Sequence, residues 1–246
     1  MTAAADRLIV ALDTPTLDEA EAIVARLRPV VRWFKVGSEL FTAAGPEAVR
    51  MVHRYDASVF LDLKWHDIPN TVASAVQSAG RLGAAMMNVH ISAGKAALRA
   101  AAGAAKSVHL AGGRRAFLIG VTVLTSDRAD VERVTATARL AEACGLHGVV
   151  ASAREATAIK AACGERFLVV APGIRAGTIP GDDQRRTAAP AEAIRMGADY
   201  LVVGRPVTRA SDIRAAAEAI LAEVAGAAGE KTNKDGGDAA AVRLTP

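Results

Sequence analysis

Residues 59–71, VFLDLKWHDIPNT, run from an apolar stretch into Asp62, Lys64, His66 and Asp67, four ionisable side chains within six positions. An isolated charge buried at the end of such a stretch is costly, so these groups must be paired or kept solvated. Asp62 and Lys64 stand two apart, so on a strand they project from one face, roughly 6–7 Å apart along the chain. That geometry suits a ligand lying across a carboxylate and an ammonium. A solvated ion pair at a strand end is the other reading of D-x-K taken alone. Asp13 after LIVAL, Lys35 in RWFKVG and Gly204–Arg205 after YLVV also follow apolar runs. The choice therefore depends on where the chain brings these residues.

Short apolar runs recur at 8–13, 32–37, 58–64, 86–91, 116–123, 147–152, 167–172 and 199–204, eight in all. Ala-rich stretches with helical spacing separate them. In TPTLDEAEAIVARL, Leu17, Ala20, Ile23, Val24 and Leu27 mark one face, and Thr16 with Glu19 reads as a capping box. Further helices are predicted near 46–55, 69–82, 95–105, 130–143, 154–162, 190–196 and 211–225. Nearly continuous apolar strands alternating with helices require a parallel sheet covered by helices. Eight such units in 246 residues point to an α/β fold, a closed (β/α)8 TIM barrel in a single domain spanning 1–225. From Gly226 the sequence GAAGEKTNKDGGDAAAVRLTP is small, polar and glycine-rich, which predicts a flexible C-terminal tail over 226–246.

All strands of a parallel barrel end at one rim, where chemistry gathers. Asp13, Lys35, Asp62 and Lys64 then converge from three neighbouring strands with alternating sign. The loops after strands 7 and 8 are the usual phosphate site of such barrels. There Gly204 permits close approach of a backbone N–H, and Arg205 offers a planar fork to phosphate oxygens. The stretch PGIRAGTIPGDDQRR after strand 7 reads as a closing lid, with Gln184 placed to reach a phosphate. Thr125 and Ser126 in GVTVLTS either bond the polar edge of a ring or cap the next helix.

Composition excludes several classes. The net charge of +4 comes with no basic run of five or more and no interleaved aromatics, which argues against nucleic acid and fits a small anionic ligand. Apolar runs stop at strand length, far short of the roughly 18 residues of a membrane helix. The N-terminus enters a strand without the features of a signal peptide. Cys144 and Cys163 form no metal or redox spacing, so a reduced, cytoplasmic setting is expected.

ALDTP, FKVGSELF, FLDLKWHDIPNT, VTVLTS, APGIR, GDDQRR and VVGRPVT occur in order across about residues 8–209. This set resembles the orotidine 5'-phosphate decarboxylases, which make UMP in pyrimidine biosynthesis. The resemblance implies that Lys64 donates a proton to C6 of the pyrimidine, flanked by Asp62 and by Asp67 of a second subunit, with Lys35 completing the array. It implies that Asp13 and Lys35 hold ribose hydroxyls with help from the partner chain's Thr71. Thr125 and Ser126 would read the pyrimidine edge, and Arg175, Gln184, Gly204 and Arg205 would bind or cover the phosphate. A homodimer with shared sites and no metal or organic cofactor follows from the same likeness. Two rival readings remain: a magnesium-dependent sugar-phosphate decarboxylase or aldolase carrying D-x-K-x-x-D, and a non-catalytic phosphate-binding barrel.

Overall fold

Runs of Val, Ile, Leu and Ala form eight strands: β1 (Leu8–Ala11), β2 (Trp33–Gly37), β3 (Ser58–Trp65), β4 (Met86–His90), β5 (Phe117–Val121), β6 (Gly148–Val150), β7 (Leu168–Ala171) and β8 (Tyr200–Val203). Each pairs in parallel with the next, and β8 returns to β1, closing the barrel in sequence order. The computed structural model describes residues 4–110, 113, 115–122, 130–175 and 187–234, with the backbone alone for 230–234. Thr125, Ser126, Gln184 and most of the lid stretch lie outside the described residues.

Helices α1 (Ala4–Arg7), α2 (Leu17–Leu27), α3 (Ser38–Ala44), α4 (Pro46–Arg54), α5 (Pro69–Arg81) and α6 (Lys95–Lys106) lie in the first half of the chain. The second half contributes α7 (Val131–Ala143), α8 (Ala156–Cys163), α9 (Pro190–Arg195), α10 (Arg205–Thr208) and α11 (Ile213–Lys234). Local chemistry sets their starts. The Thr16 hydroxyl accepts the N–H of Glu19 at 3.3 Å, and Pro69 opens α5 where its missing N–H has no helical partner to lose.

Strand alternation sorts the side chains into two cores. Ile9, Trp33, Phe60, Met86, Leu168 and Tyr200 belong to the cluster that fills the barrel. Their neighbours Val10, Phe34, Leu61, Met87, Val169 and Leu201 face outward among helix residues such as Val24, Val52 and Leu98. Each fully buried aliphatic side chain contributes about 1.5–3 kcal/mol. Trp33 and Tyr200, the first residues of their strands, meet edge to face at 5.7 Å and plug the barrel floor. Two steps further along the same inward rows the side chains change character. Trp33 is followed by Lys35, Phe60 by Asp62 and Met86 by Asn88, so the apolar plug carries a polar layer above it.

The last helix departs from the sequence expectation. It runs on through Gly226 and Gly229 to Lys234, and Ala227 is buried in the outer core beside Val224. The helix thus continues beyond residue 225, the expected end of the helical stretch. Two helical glycines cost about 1 kcal/mol each, but apolar residues on the packed face offset that.

Candidate active site

The rim at the strands' C-terminal ends opens into a cavity of about 450 Å³, whose lining includes Asp13, Lys35, Asp62, Lys64, Arg175, Gly204 and Arg205. Seven residues singled out from sequence thus share one chamber. Lys35 and Asp62 come from inside the barrel wall and are 8% and 7% exposed. The Lys35 ammonium lies 2.9 Å from Asp13 Oδ1 and 3.2 Å from Asp62 Oδ2, while Lys64 Nζ lies 2.7 Å from Asp62 Oδ1. Carboxylate and ammonium alternate along a continuous chain: Asp13, Lys35, Asp62, Lys64. Both oxygens of Asp62 are held by ammonium groups.

Burial works against charge on both inner members, and their partners outweigh it. For Lys35, desolvation lowers the pKa, but attraction to Asp62 and Asp13 leaves it raised above its ordinary value. For Asp62, desolvation raises the pKa, but Lys35 and Lys64, with hydrogen bonds from Lys64 and Asn88, leave it lowered. Lys35 and Asp62 are therefore both charged at neutral pH.

The spacing of Asp62 and Lys64 has a different origin from the plain strand the sequence predicts. β3 and β4 pair Leu61 with Met87 and then Trp65 with Val89, so three residues of β3 oppose the single residue Asn88. Lys64 sits in this bulge at φ 52°, one of two non-glycine residues with positive φ among the described residues. Such backbone is uncommon for lysine and marks a place that re-aims a side chain. The sequence reading missed Asn88, a fully buried amide that accepts the Lys64 backbone N–H at 2.8 Å and donates to Asp62 Oδ1 at 2.6 Å. Its signal was present: one amide in the apolar run MMNVHI, on the inward row. Gly37 was missed too. A Cβ there would lie 2.8 Å from Lys35 Nζ and 3.2 Å from Asp13 Oδ1, so a glycine leaves room for that ion pair.

On the β7–β8 side of the cavity, Arg175 is 8% exposed, and its backbone N–H bonds the Ala188 carbonyl at 3.0 Å. Gly204 and Arg205 stand at the start of α10, and the same wall includes Gly173, Thr208 and Arg209. Arg209 was not anticipated, although it follows Arg205 by one helical turn. Positive charge therefore gathers on the β7–β8 side of the cavity, next to the Asp13 end of the array: a Cβ on Gly204 would lie 3.8 Å from Asp13 Oδ2.

Asp67 and Thr71 are not among the residues lining this chain's own cavity. Both are exposed, and Asp67 Oδ1 accepts the N–H of Ile68 at 2.6 Å. His66 is also exposed. Its ring pairs with that of His90 at 5.8 Å, and burial, His66 and Lys64 together push His90 below its ordinary pKa.

The chain resembles known proteins along nearly its whole length. The family described as "Orotidine 5'-phosphate decarboxylase / HUMPS family" matches residues 6–220. An orotidine 5'-phosphate decarboxylase of Moorella thermoacetica is 52% identical over 234 residues, covering 90% of this chain and 93% of that one. The crystal structure of the Lactobacillus acidophilus orotidine 5'-phosphate decarboxylase superposes with a TM-score of 0.78 at 35% identity, covering 89% of this chain and 99% of the other. An uncharacterized conserved protein from Geobacillus kaustophilus gives 0.77 at 37%, with 88% and 99% covered. By a match that takes in every strand of the barrel and the charged array it carries, this chain belongs to the orotidine 5'-phosphate decarboxylase / HUMPS family.

Proposed function

We propose that the Asp13–Lys35–Asp62–Lys64 array carries out the decarboxylation of orotidine 5'-phosphate to UMP and CO2, a carboxy-lyase reaction of pyrimidine biosynthesis. The observation that carries this reading is the alternation itself: two ammonium groups hold one buried carboxylate between them at 3.2 and 2.7 Å. When the bond from C6 to the carboxyl carbon breaks, its electron pair stays on C6 in an orbital that cannot delocalise into the ring. Fixed charges must stabilise that anion, and preorganised ones do so without reorganising during the reaction. Lys64 faces the developing charge and then transfers a proton from Nζ to C6. Asp62 keeps the ammonium close and meets the departing carboxylate as a like charge. Asp13 and Lys35 bond ribose hydroxyls. Arg175, Gly204 and Arg205 receive the phosphate, with Gln184 covering it and Thr125 and Ser126 reading the pyrimidine edge.

A homodimer completes the site. Residues 66–70 form an exposed run, and Ile68 within it is 66% exposed, an apolar side chain suited to cover by a second copy. Asp67 and Thr71 lie on either side of Ile68 and do not line their own chain's cavity, which supports a role for them in the partner's. Mixing the separately inactive Lys64→Ala and Asp67→Asn proteins is expected to restore activity through hybrid dimers. Mixtures that stay inactive after subunit exchange overturn site sharing.

The magnesium-dependent rival needs a carboxylate-rich cation site, whereas here both Asp62 oxygens already face ammonium groups. A non-catalytic phosphate barrel explains Arg205 but gives the buried array no role. The reaction needs no metal or organic cofactor in this reading. Both cysteines are free thiols, in keeping with a cytoplasmic enzyme. Among the described residues no helix is long and apolar enough to cross a membrane. The deciding experiment follows the ultraviolet change as orotidine 5'-phosphate becomes UMP in excess EDTA. Full turnover is expected, and an EDTA-abolished rate restored by magnesium transfers the chain to the rival chemistry.

Arg205→Ala tests the phosphate end. Loss of a charge-assisted contact worth about 1.5–3 kcal/mol should raise KM about 10–10²-fold. If closure over the phosphate also aligns the array, kcat falls as well. Unchanged kinetics remove Arg205 from the site.

A further inference from the structure

We infer that Asn88 is a positioning residue for the decarboxylation, its side-chain amide setting the separation and aim of Asp62 and Lys64 without touching substrate. The inference rests on the reading of the array given above. Asn88 is fully buried and is not among the cavity-lining residues, so it acts through its neighbours. Where β3 bulges, three residues oppose one, and the Lys64 N–H falls out of the ladder. An unpaired buried N–H is costly, and Asn88 Oδ1 accepts it at 2.8 Å. Its Nδ2 donates to Asp62 Oδ1 at 2.6 Å, the oxygen that also receives Lys64 Nζ at 2.7 Å. One amide therefore fixes both the backbone that aims Lys64 and the carboxylate that receives it.

An amide is the side chain this position demands. A carboxylate there would accept from Lys64 N–H but place a second anion against Asp62, and an aliphatic group would leave both partners unsatisfied. A displacement of about 1 Å in a reacting group can cost about 10²-fold in rate. The left-handed lysine backbone has no glycine to relax into, so it depends on its tertiary partner.

Two variants test the proposal against wild-type protein whose turnover of orotidine 5'-phosphate in EDTA has first been established. A failure of that control concerns the function, not Asn88. Asn88→Ala removes both bonds, and kcat should fall about 10–10²-fold with KM moving far less. Asn88→Asp keeps the volume and the bond to Lys64 N–H but opposes Asp62. The groups facing Asp62 are Lys35 from β2 with Asp13 behind it, Lys64 on its own strand, and His90 on β4 beside His66. Against that fixed background the added acid should raise the acid limb of the kcat–pH profile by about one unit or more, as for paired carboxylates. A merely structural role would lower the melting temperature and leave that limb in place. Wild-type kcat with an unshifted profile in folded Asn88→Asp overturns the proposal whatever happens to the alanine variant. Failure of both variants to fold also counts against it, since the amide would then serve the bulge alone.

Discussion

Replacing Lys64 by alanine is expected to lower kcat for orotidine 5'-phosphate by at least about 10²–10⁴-fold, the range of a lost general acid. The loss grows further because the ammonium also faces the carbanion before it gives up its proton, so one substitution removes both the fixed charge and the proton source. The fold should tolerate it. The Lys64 side chain is 35% exposed toward the cavity, and Asp62 keeps Lys35 and Asn88 as partners. Because Lys64 is about a third exposed and Asp62 retains Lys35, the loss in stability should stay well below that of breaking a fully buried pair. A melting temperature within a few degrees of wild type, beside a collapsed kcat and a nearly constant KM, is the predicted signature. The phosphate contacts come from the segments after β7 and β8, not from β3, and should bind as before. Near-normal turnover in a folded variant would take Lys64 out of the mechanism.

Much of this site was legible because strand ends in a parallel barrel are forced to a common rim. Once eight apolar runs were recognised, Asp13, Lys35 and Asp62 had to converge, and Gly204–Arg205 had to lie near the loop after strand 7. The β3 bulge was not legible. Its sequence, FLDLKW, contains neither glycine nor proline, and alternation through it looks unbroken. The left-handed backbone at Lys64 is held by Asn88, 24 residues away, so no local propensity announces it. The end of α11 was misread for the opposite reason. Gly226 and Gly229 suggested a tail, whereas Ala227 is held by burial in the outer core, an interaction local composition does not show. A buried lysine also escaped notice. Lys160, 6% exposed, donates to the Glu165 and Phe167 carbonyls and to Asp199 Oδ2 at 2.8–2.9 Å, tying α8 to the strands. On sequence alone it reads as an ordinary helix lysine.

Lys35→Met should be the most destabilising change in the array. Lys35 and Asp62 are both nearly inaccessible, and removing Lys35 leaves buried Asp62 with Lys64 as its one cationic partner, at a cost of about 3 kcal/mol, the low end for breaking a buried pair. For a chain of this size that corresponds to a fall of about 10 °C in melting temperature, at about 2–4 °C per kcal/mol. The pH dependence follows from the two shifts. Asp62 is lowered on folding, so its contribution is present above the unfolded value of 3.8 and disappears as pH falls through the lower folded value. Lys35 is raised, so its contribution is present below 10.5 and disappears as pH rises through the higher folded value. Between those limits the wild-type network should give a flat stability profile. Without Lys35, burial regains weight over attraction at Asp62 and its folded pKa rises, so acidification costs the variant less stability than it costs wild type. The gap between wild type and variant is therefore widest near neutrality and narrows as acid protonates Asp62 in both. Thermal unfolding of the two proteins from pH 3 to 8 reads this directly. A variant matching wild-type stability at pH 7, with the same acid limb, would mean that Asp62 is not held charged by Lys35 and that the alternating array is not an electrostatic unit.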